Sequence, residues 1–190
     1  METSTKDRIL DTTAAMFRRY GYTGTGLKQV VQRANAPFGS LYHHFPGGKE
    51  ELGGEVIRRS GKMYEDLVMA IFASGATLEE GLANVFSGAA AVLRETDYAD
   101  ACPIATVALE VASTSEPLRK ATVEVFDGWI VAATLRFVTA GISETKARDL
   151  AIGMIAALEG AFVLARATRS TEALEVAGKM SLLALEAARG

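Results

Sequence analysis

At 190 residues the chain can bury a sizeable core as one or two small domains, and its single cysteine, Cys102, excludes an intrachain disulfide. Four prolines, abundant alanine and leucine, and no sustained period-two alternation exclude a sheet-based fold and predict an all-α protein. The net charge of −3 is divided: residues 1–62 carry ten Lys/Arg against six acids and the remainder ten against seventeen, so the basic head suits an anionic partner that touches only the head.

The polar start METSTKDR leads straight into an amphipathic helix and does not read as a signal peptide. That first helix is predicted from about Thr5 to Tyr20, with Ile9, Leu10, Thr13, Ala14 and Phe17 on one apolar face. Gly21 is placed to stop it in the left-handed conformation. Thr25 reads as the N-cap of a second helix whose apolar positions Leu27, Val30, Val31 and Ala34 fall three and four apart. Asn35 stands where the next turn needs a left-handed residue, and Pro37 opens a third helix in which Leu41 and Phe45 face inward. The PGG at 46–48 breaks the chain before Lys49 starts a long fourth helix, to about Phe72. Because that helix crosses the boundary expected near residue 60, it reads as a stiff lever and not a tether. Further helices are predicted at 77–95, 103–113, 116–140, 144–168 and 171–188, with breaks at Ser74-Gly75, Asp97–Cys102, Ser113–Ser115, Gly141 and Thr168–Ser170. The longest apolar run, Leu150 to Ala165, is interrupted by Glu159 and is too short for a comfortable membrane span, so a soluble, cytoplasmic protein without a membrane partner is expected.

Residues 21–52 carry the functional signal. Adjacent helical residues point about 100° apart, so Tyr42, His43 and His44 cannot all be core. A helix lying in a DNA groove does need polar and aromatic groups on several sides. The segment reads as a helix-turn-helix, and its expected partner is double-stranded DNA. At the start of the recognition helix, Phe38, Gly39, Ser40 and His43 are the base-proximal candidates. Phe38 suits a thymine methyl and Gly39 lets the backbone approach closely; the alternative for Phe38 is packing against the first or second helix. His43 and His44 diverge and have no carboxylate or cysteine three or four residues away, so no metal is expected. GGK at 47–49 fails as a phosphate loop, since Glu50 follows it and no strand precedes it. With no catalytic cluster and no cofactor loop, the chain is not expected to be an enzyme or to carry a cofactor. A small helical enzyme and a constitutive DNA-binding protein without an effector are the alternatives.

Across residues 5–60, Phe17 with Tyr20-Gly21-Tyr22, then Thr25, Ala34, Gly39-Ser40-Leu41-Tyr42-His43-His44-Phe45 and Lys49-Glu50-Glu51-Leu52 resemble the TetR family of bacterial transcriptional repressors. APFGSLYHHFPGGKEEL, with ACPIATVALE at 101–110, is similar to the LmrA/YxaF-like branch. Gly26 departs from the family's frequent Ser/Thr, and the PGG is one residue longer than the common spacing. The resemblance implies a three-helix DNA-binding domain, residues 1–60, joined by a continuous helix to a helical effector-binding and dimerisation domain, residues 61–190. It implies phosphate contacts from Tyr42, His44, Thr25 and Lys49, with Lys49 adding its charge to the free amides that begin the fourth helix. The alternatives are a half-buried domain tyrosine, a plain cap at Thr25 and an ordinary solvated lysine.

The same resemblance implies a homodimer in which the last two helices form a four-helix bundle with their partners. Gly153 and Gly160, seven apart in an alanine-rich stretch, allow close helix packing there; the alternative is that this stripe packs only inside the subunit. It also implies a repressor released from a palindromic operator by a small hydrophobic or aromatic effector; members of the branch respond to aromatic, drug-like or flavonoid compounds. Phe126, Trp129, Phe137, Met154 and Phe162 could line an apolar pocket, and Thr106, Glu110 and Glu159, on otherwise apolar stretches, could orient a ligand. The alternative is that the aromatics are core and the acids reach solvent or pair with Arg136 or Arg166.

Overall fold

The computed structural model describes residues 4–190, so Met1, Glu2 and Thr3 of the polar start lie outside the described residues. Among the described residues the chain forms nine helices and no strand. In chain order they are α1 (Thr5–Tyr20), α2 (Leu27–Arg33), α3 (Phe38–His44), α4 (Gly48–Ser74), α5 (Leu78–Glu95), α6 (Pro103–Val111), α7 (Glu116–Thr139), α8 (Glu144–Thr168) and α9 (Glu172–Arg189). The all-α class follows the sequence reading, and most helix ends fall within a residue or two of it. α6 stops at Val111, short of the predicted 113, and the amides of Thr114 and Ser115 in the turn that follows both donate to the Val111 carbonyl.

Local chemistry explains most of the other ends. Ser4 begins α1 by accepting from the Asp7 amide, and Thr77 begins α5 by accepting from the Glu80 amide. Gly21, at φ 69°, closes α1 with its amide on the Phe17 carbonyl. One cap differs from expectation. Gly26, not Thr25, is the N-cap of α2, and it offers no side-chain acceptor. The Thr25 hydroxyl instead donates back to the Gly21 carbonyl at 2.7 Å, so Thr25 braces the preceding turn.

The helices pack as two compact units. The first runs to Lys62 and takes in Cys102–Val125; the second comprises Met63–Ala101 and Phe126–Gly190. α6 and the first half of α7 therefore join α1–α3, well beyond their place in chain order. The first unit's core holds Ile9, Phe17, Val30, Leu41, Phe45, Ile57, Ile104 and Leu118, each at most 1% exposed. α4 and α7 approach closely within this unit: a Cβ on Gly61 would fall 2.5 Å from the Val125 methyls.

In the second unit Phe72 and Phe137 meet edge to face, with ring centroids 6.2 Å apart, among Leu82, Phe86 and Leu93 of α5 and Met154 and Ala165 of α8. Leu174 and Leu185 of α9 complete this core. The turn after α5 contains two left-handed residues, Asp97 and Tyr98, and Arg166 of α8 donates to the carbonyls of Tyr98 and Ala99. A large apolar surface is left open on α7–α9, with Val131, Leu135, Ile152, Val163, Leu164, Met180 and Leu183 all exposed. α8 extends past the apolar run read in the sequence at both ends, to 25 residues, and by length and composition alone it could cross a membrane. Only 22% of its most apolar stretch is buried inside the chain.

Candidate nucleic-acid interface

The recognition surface is set by what α3 buries. Leu41 and Phe45, one turn apart, are both 0% exposed and fix the inner face of α3. That orientation turns Phe38, Tyr42 and His43 outward. Phe38 is 44% exposed and Tyr42 47%, and their rings meet edge to face at 5.6 Å. Phe38 is thus displayed, not buried against α1 or α2. A Cβ on Gly39 would meet nothing within 4 Å, so the backbone there is open. Ser40 and His44 are half-buried, His43 is exposed, and the two imidazoles lie 5.0 Å apart.

The turn between α2 and α3 is held from α1. Asn35 takes φ 47°, and Ala36 donates to the Val31 carbonyl at 2.9 Å. Arg8 donates from Nε to the Ala34 carbonyl at 3.1 Å and from Nη2 to that of Asn35 at 3.3 Å. Nearby, the Arg33 guanidinium lies 5.6 Å from the Tyr20 ring centre, and its hydrogen bond holds the Tyr20 phenol below its usual range. Lys6 pairs with Glu55, and Arg59 with both Asp7 and Asp11, which ties α1 to α4. With Arg58 on Glu124, part of the head's basic excess is neutralised inside the unit.

The four phosphate candidates do not stand alike. Tyr42 is exposed and His44 half-buried. Thr25 is 1% exposed, with its hydroxyl on Gly21 and its amide on the Tyr22 carbonyl. Lys49 follows the first residue of α4 and lies half-buried with Nζ 4.4 Å from the centre of the Tyr22 ring. Burial lowers the Lys49 ammonium from its ordinary value, and the Glu110 carboxylate opposes that shift.

These residues form a polar, aromatic face on a short helix presented by a packed three-helix frame, the geometry of a helix-turn-helix. Residues 9–56 match the family described as bacterial regulatory proteins, tetR family, and residues 79–180 match the LmrA/YxaF-like transcriptional regulator C-terminal domain. The chain belongs to the TetR family of transcriptional regulators. It is 33% identical over 159 residues to the uncharacterized HTH-type regulator YxaF of Bacillus subtilis, covering 84% of this chain and 83% of that protein. To the HTH-type regulator LmrA of Bacillus subtilis it is 29% identical, covering 89% and 90%. To the HTH-type repressor DhaR of a Mycobacterium species it is 25% identical, covering 91% and 88%. Among solved structures, a TetR regulator from Legionella pneumophila has the same fold at TM-score 0.82 and 23% identity, covering 95% of this chain and 96% of that one. As a TetR-family protein the chain is a DNA-binding transcriptional regulator and not an enzyme.

In this TetR-family chain six of the effector-pocket candidates are divided. Phe126 and Trp129 of α7 meet edge to face at 5.6 Å in the second unit, where Glu159 and Phe162 of α8 are also half-buried. Thr106 and Glu110 of α6 belong to the first unit. The Thr106 hydroxyl donates to the Cys102 carbonyl at 2.8 Å, and the Glu110 carboxylate accepts from the amides of Tyr22 and Thr23. A separate open cavity of about 510 Å³ in the second unit is lined by Leu82, Phe137, Leu150, Met154, Met180 and Leu185, with Lys146 and Asp149. Of the residues the sequence offers for a pocket, Phe137 and Met154 line this cavity and the other six do not. Among the described residues no group of three or more His, Cys, Asp or Glu side chains could hold a metal ion.

Sequence reasoning passed over Arg8, and it offered Glu110 to a ligand where the structure gives it two backbone amides. Arg8 reads as an ordinary surface charge on an amphipathic helix, and nothing local marks its acceptors 26 and 27 residues on. Glu110 does carry a signal, an acid on an apolar helix, but that pattern is the same whether the acid meets a ligand or a backbone.

Proposed function

We propose that this TetR-family regulator is a homodimeric repressor that binds a palindromic operator and leaves it when a small hydrophobic or aromatic effector binds. The observation that carries the DNA side is the displayed Phe38–Tyr42 pair, with Gly39 open beside it and Leu41 and Phe45 fully buried behind it. Residues 1–60 are the DNA-binding domain and residues 61–190 the effector and dimerisation domain. Phe38, Gly39, Ser40 and His43 meet base edges. Tyr42, His44 and Lys49 meet phosphates, and Thr25 supports them by bracing the turn before α2. In a dimer the two recognition helices stand about 34–36 Å apart and enter successive major grooves.

The open apolar face of α8 and α9, with Gly153 and Gly160 clear of any neighbour, supports the dimer and gives a soluble, cytoplasmic reason for so much exposed apolar surface. The repressor sense follows DhaR, which is named a repressor. The half-buried aromatic pair Phe126–Trp129, with Phe162 and Glu159, supports an aromatic effector. An effector lowers operator affinity only by its preference between the bound and released states.

The test is in-vitro selection of DNA by the purified protein, followed by titration of the recovered site across salt concentrations. A palindromic site, bound by a dimer with affinity falling steeply as salt rises, is the expected result. Absence of any enriched sequence would refute the operator reading. A thermal-shift screen with aromatic compounds tests the effector: a stabilising compound should also weaken operator binding.

A further inference from the structure

Glu110 lies in the last turn of α6, where a negative charge opposes the helix dipole and gains nothing from its own helix. Its partners lie 87 and 88 residues earlier. One carboxylate oxygen accepts from the Tyr22 amide at 3.1 Å and the other from the Thr23 amide at 2.6 Å. Both amides belong to the turn that joins α1 to α2. The carboxylate lies so close over this turn that a Cβ on Gly21 would fall 1.7 Å from it. Tyr22, held by its amide in this way, carries the Lys49 ammonium over its ring. A charged acceptor with two amide donors is among the stronger contacts a turn can have.

We propose that Glu110 is a positioning residue for operator binding: by clamping the amides of Tyr22 and Thr23 it fixes the entry of α2 and, through the Tyr22 ring, the place of Lys49. The proposal rests on the reading that α2, α3 and Lys49 meet the operator. Glu110 itself touches no DNA and repels phosphate. Its removal should therefore act on recognition geometry, and in the opposite sense to its charge.

The experiment uses full-length protein, wild type and Glu110→Gln, well below the unfolding midpoint of each. Glutamine keeps the shape, loses the charge and replaces one acceptor with a donor, so one amide loses its partner. Affinity for the selected operator should fall by about tenfold. Affinity for random duplex should fall by much less, because the lost negative charge offsets the displaced Lys49 contact, and amide exchange at Tyr22 and Thr23 should quicken. A merely structural role would lower both affinities by the same factor. That parallel loss, or operator affinity and amide exchange unchanged in the variant, would overturn the proposal. A wild type that selects no operator would overturn the reading beneath it, and shows this before any variant is made.

Discussion

Arg8, in the first turns of α1, donates to the carbonyl of Ala34 at the end of α2, so one side chain joins the start of the first helix to the stop of the second. The last carbonyls of a helix lack partners of their own, and a cation there also complements the dipole. Arg8→Met should cost about 1–2 kcal/mol, and the unfolding midpoint should fall by roughly 2–8 °C. Arg8→Lys should recover only part, because a single flexible ammonium lacks the rigid pair of nitrogens that reaches Ala34 and Asn35. Thermal or urea unfolding measures both, and a wild-type midpoint in Arg8→Met would show that water serves these carbonyls as well.

Asn35 bears on the same turn through its backbone. At φ 47° a Cβ is strained, and asparagine tolerates this better than alanine does. Asn35→Ala should destabilise by about 1 kcal/mol, whereas Asn35→Gly should stay within about 0.5 kcal/mol of wild type. Equal stability of all three would mean that the turn can adopt another conformation.

The helix order, the Gly21 stop and the left-handed Asn35 were legible because each depends on residues a few positions apart. Apolar spacing at Leu41 and Phe45 sufficed to orient α3, and with it the outward face of Phe38 and Tyr42. Thr25 was misread as a cap because adjacent Thr25 and Gly26 are both acceptable cap residues, and only the fold shows the hydroxyl turning back to Gly21. The packing of α6 with α1–α3, and the bond from Glu110 to Tyr22 across 88 residues, left no local trace. Acids on apolar helices look alike until their partners are known.

On the recognition face, stability and binding should separate. Phe38 is exposed, so Phe38→Ala should change unfolding by about 0.5 kcal/mol or less. The same variant should relax base preference at one position of each half-site, read by repeating the selection. Lys49→Ala should instead weaken binding to all sequences and reduce the salt slope by about one. A Lys49→Ala slope equal to wild type would remove Lys49 from the phosphate contacts.

Arg58 and Glu124 link α4 to α7 within the first unit, with Nε 2.6 Å from one carboxylate oxygen. The hydrogen bond from Arg58 holds the Glu124 carboxyl below its ordinary 4.5, with desolvation opposing in part. A depressed carboxyl contributes stability that is fully present above the unfolded value and lost as pH falls through the folded one. Both side chains are more than half exposed, so the contribution is small. Arg58→Met should unfold slightly below wild type at neutral pH, and the difference should shrink as acid protonates the lowered Glu124 carboxyl. A difference that persists in acid would mean that Arg58 acts by packing, not by charge.

Gly153 and Gly160 of α8 offer a test of assembly that the monomer cannot disguise. A Cβ at either position would meet nothing within 4 Å, so a larger residue fits each subunit without a clash. Replacing a mid-helix glycine should even favour the helix, by up to about 1 kcal/mol. If two copies pack along this stripe, Gly160→Arg places a long cation where helices must come close, and the dimer should fail while the subunit stays folded. Sedimentation should then report 20.2 kDa in place of twice that mass, with an unchanged helical spectrum. Operator affinity should collapse, because each half-site would be bound alone and the gain from linking the two would be lost. A Gly160→Arg protein that still sediments as a dimer would place the interface elsewhere, with the exposed Val131 and Leu135 of α7 as the next surface to alter.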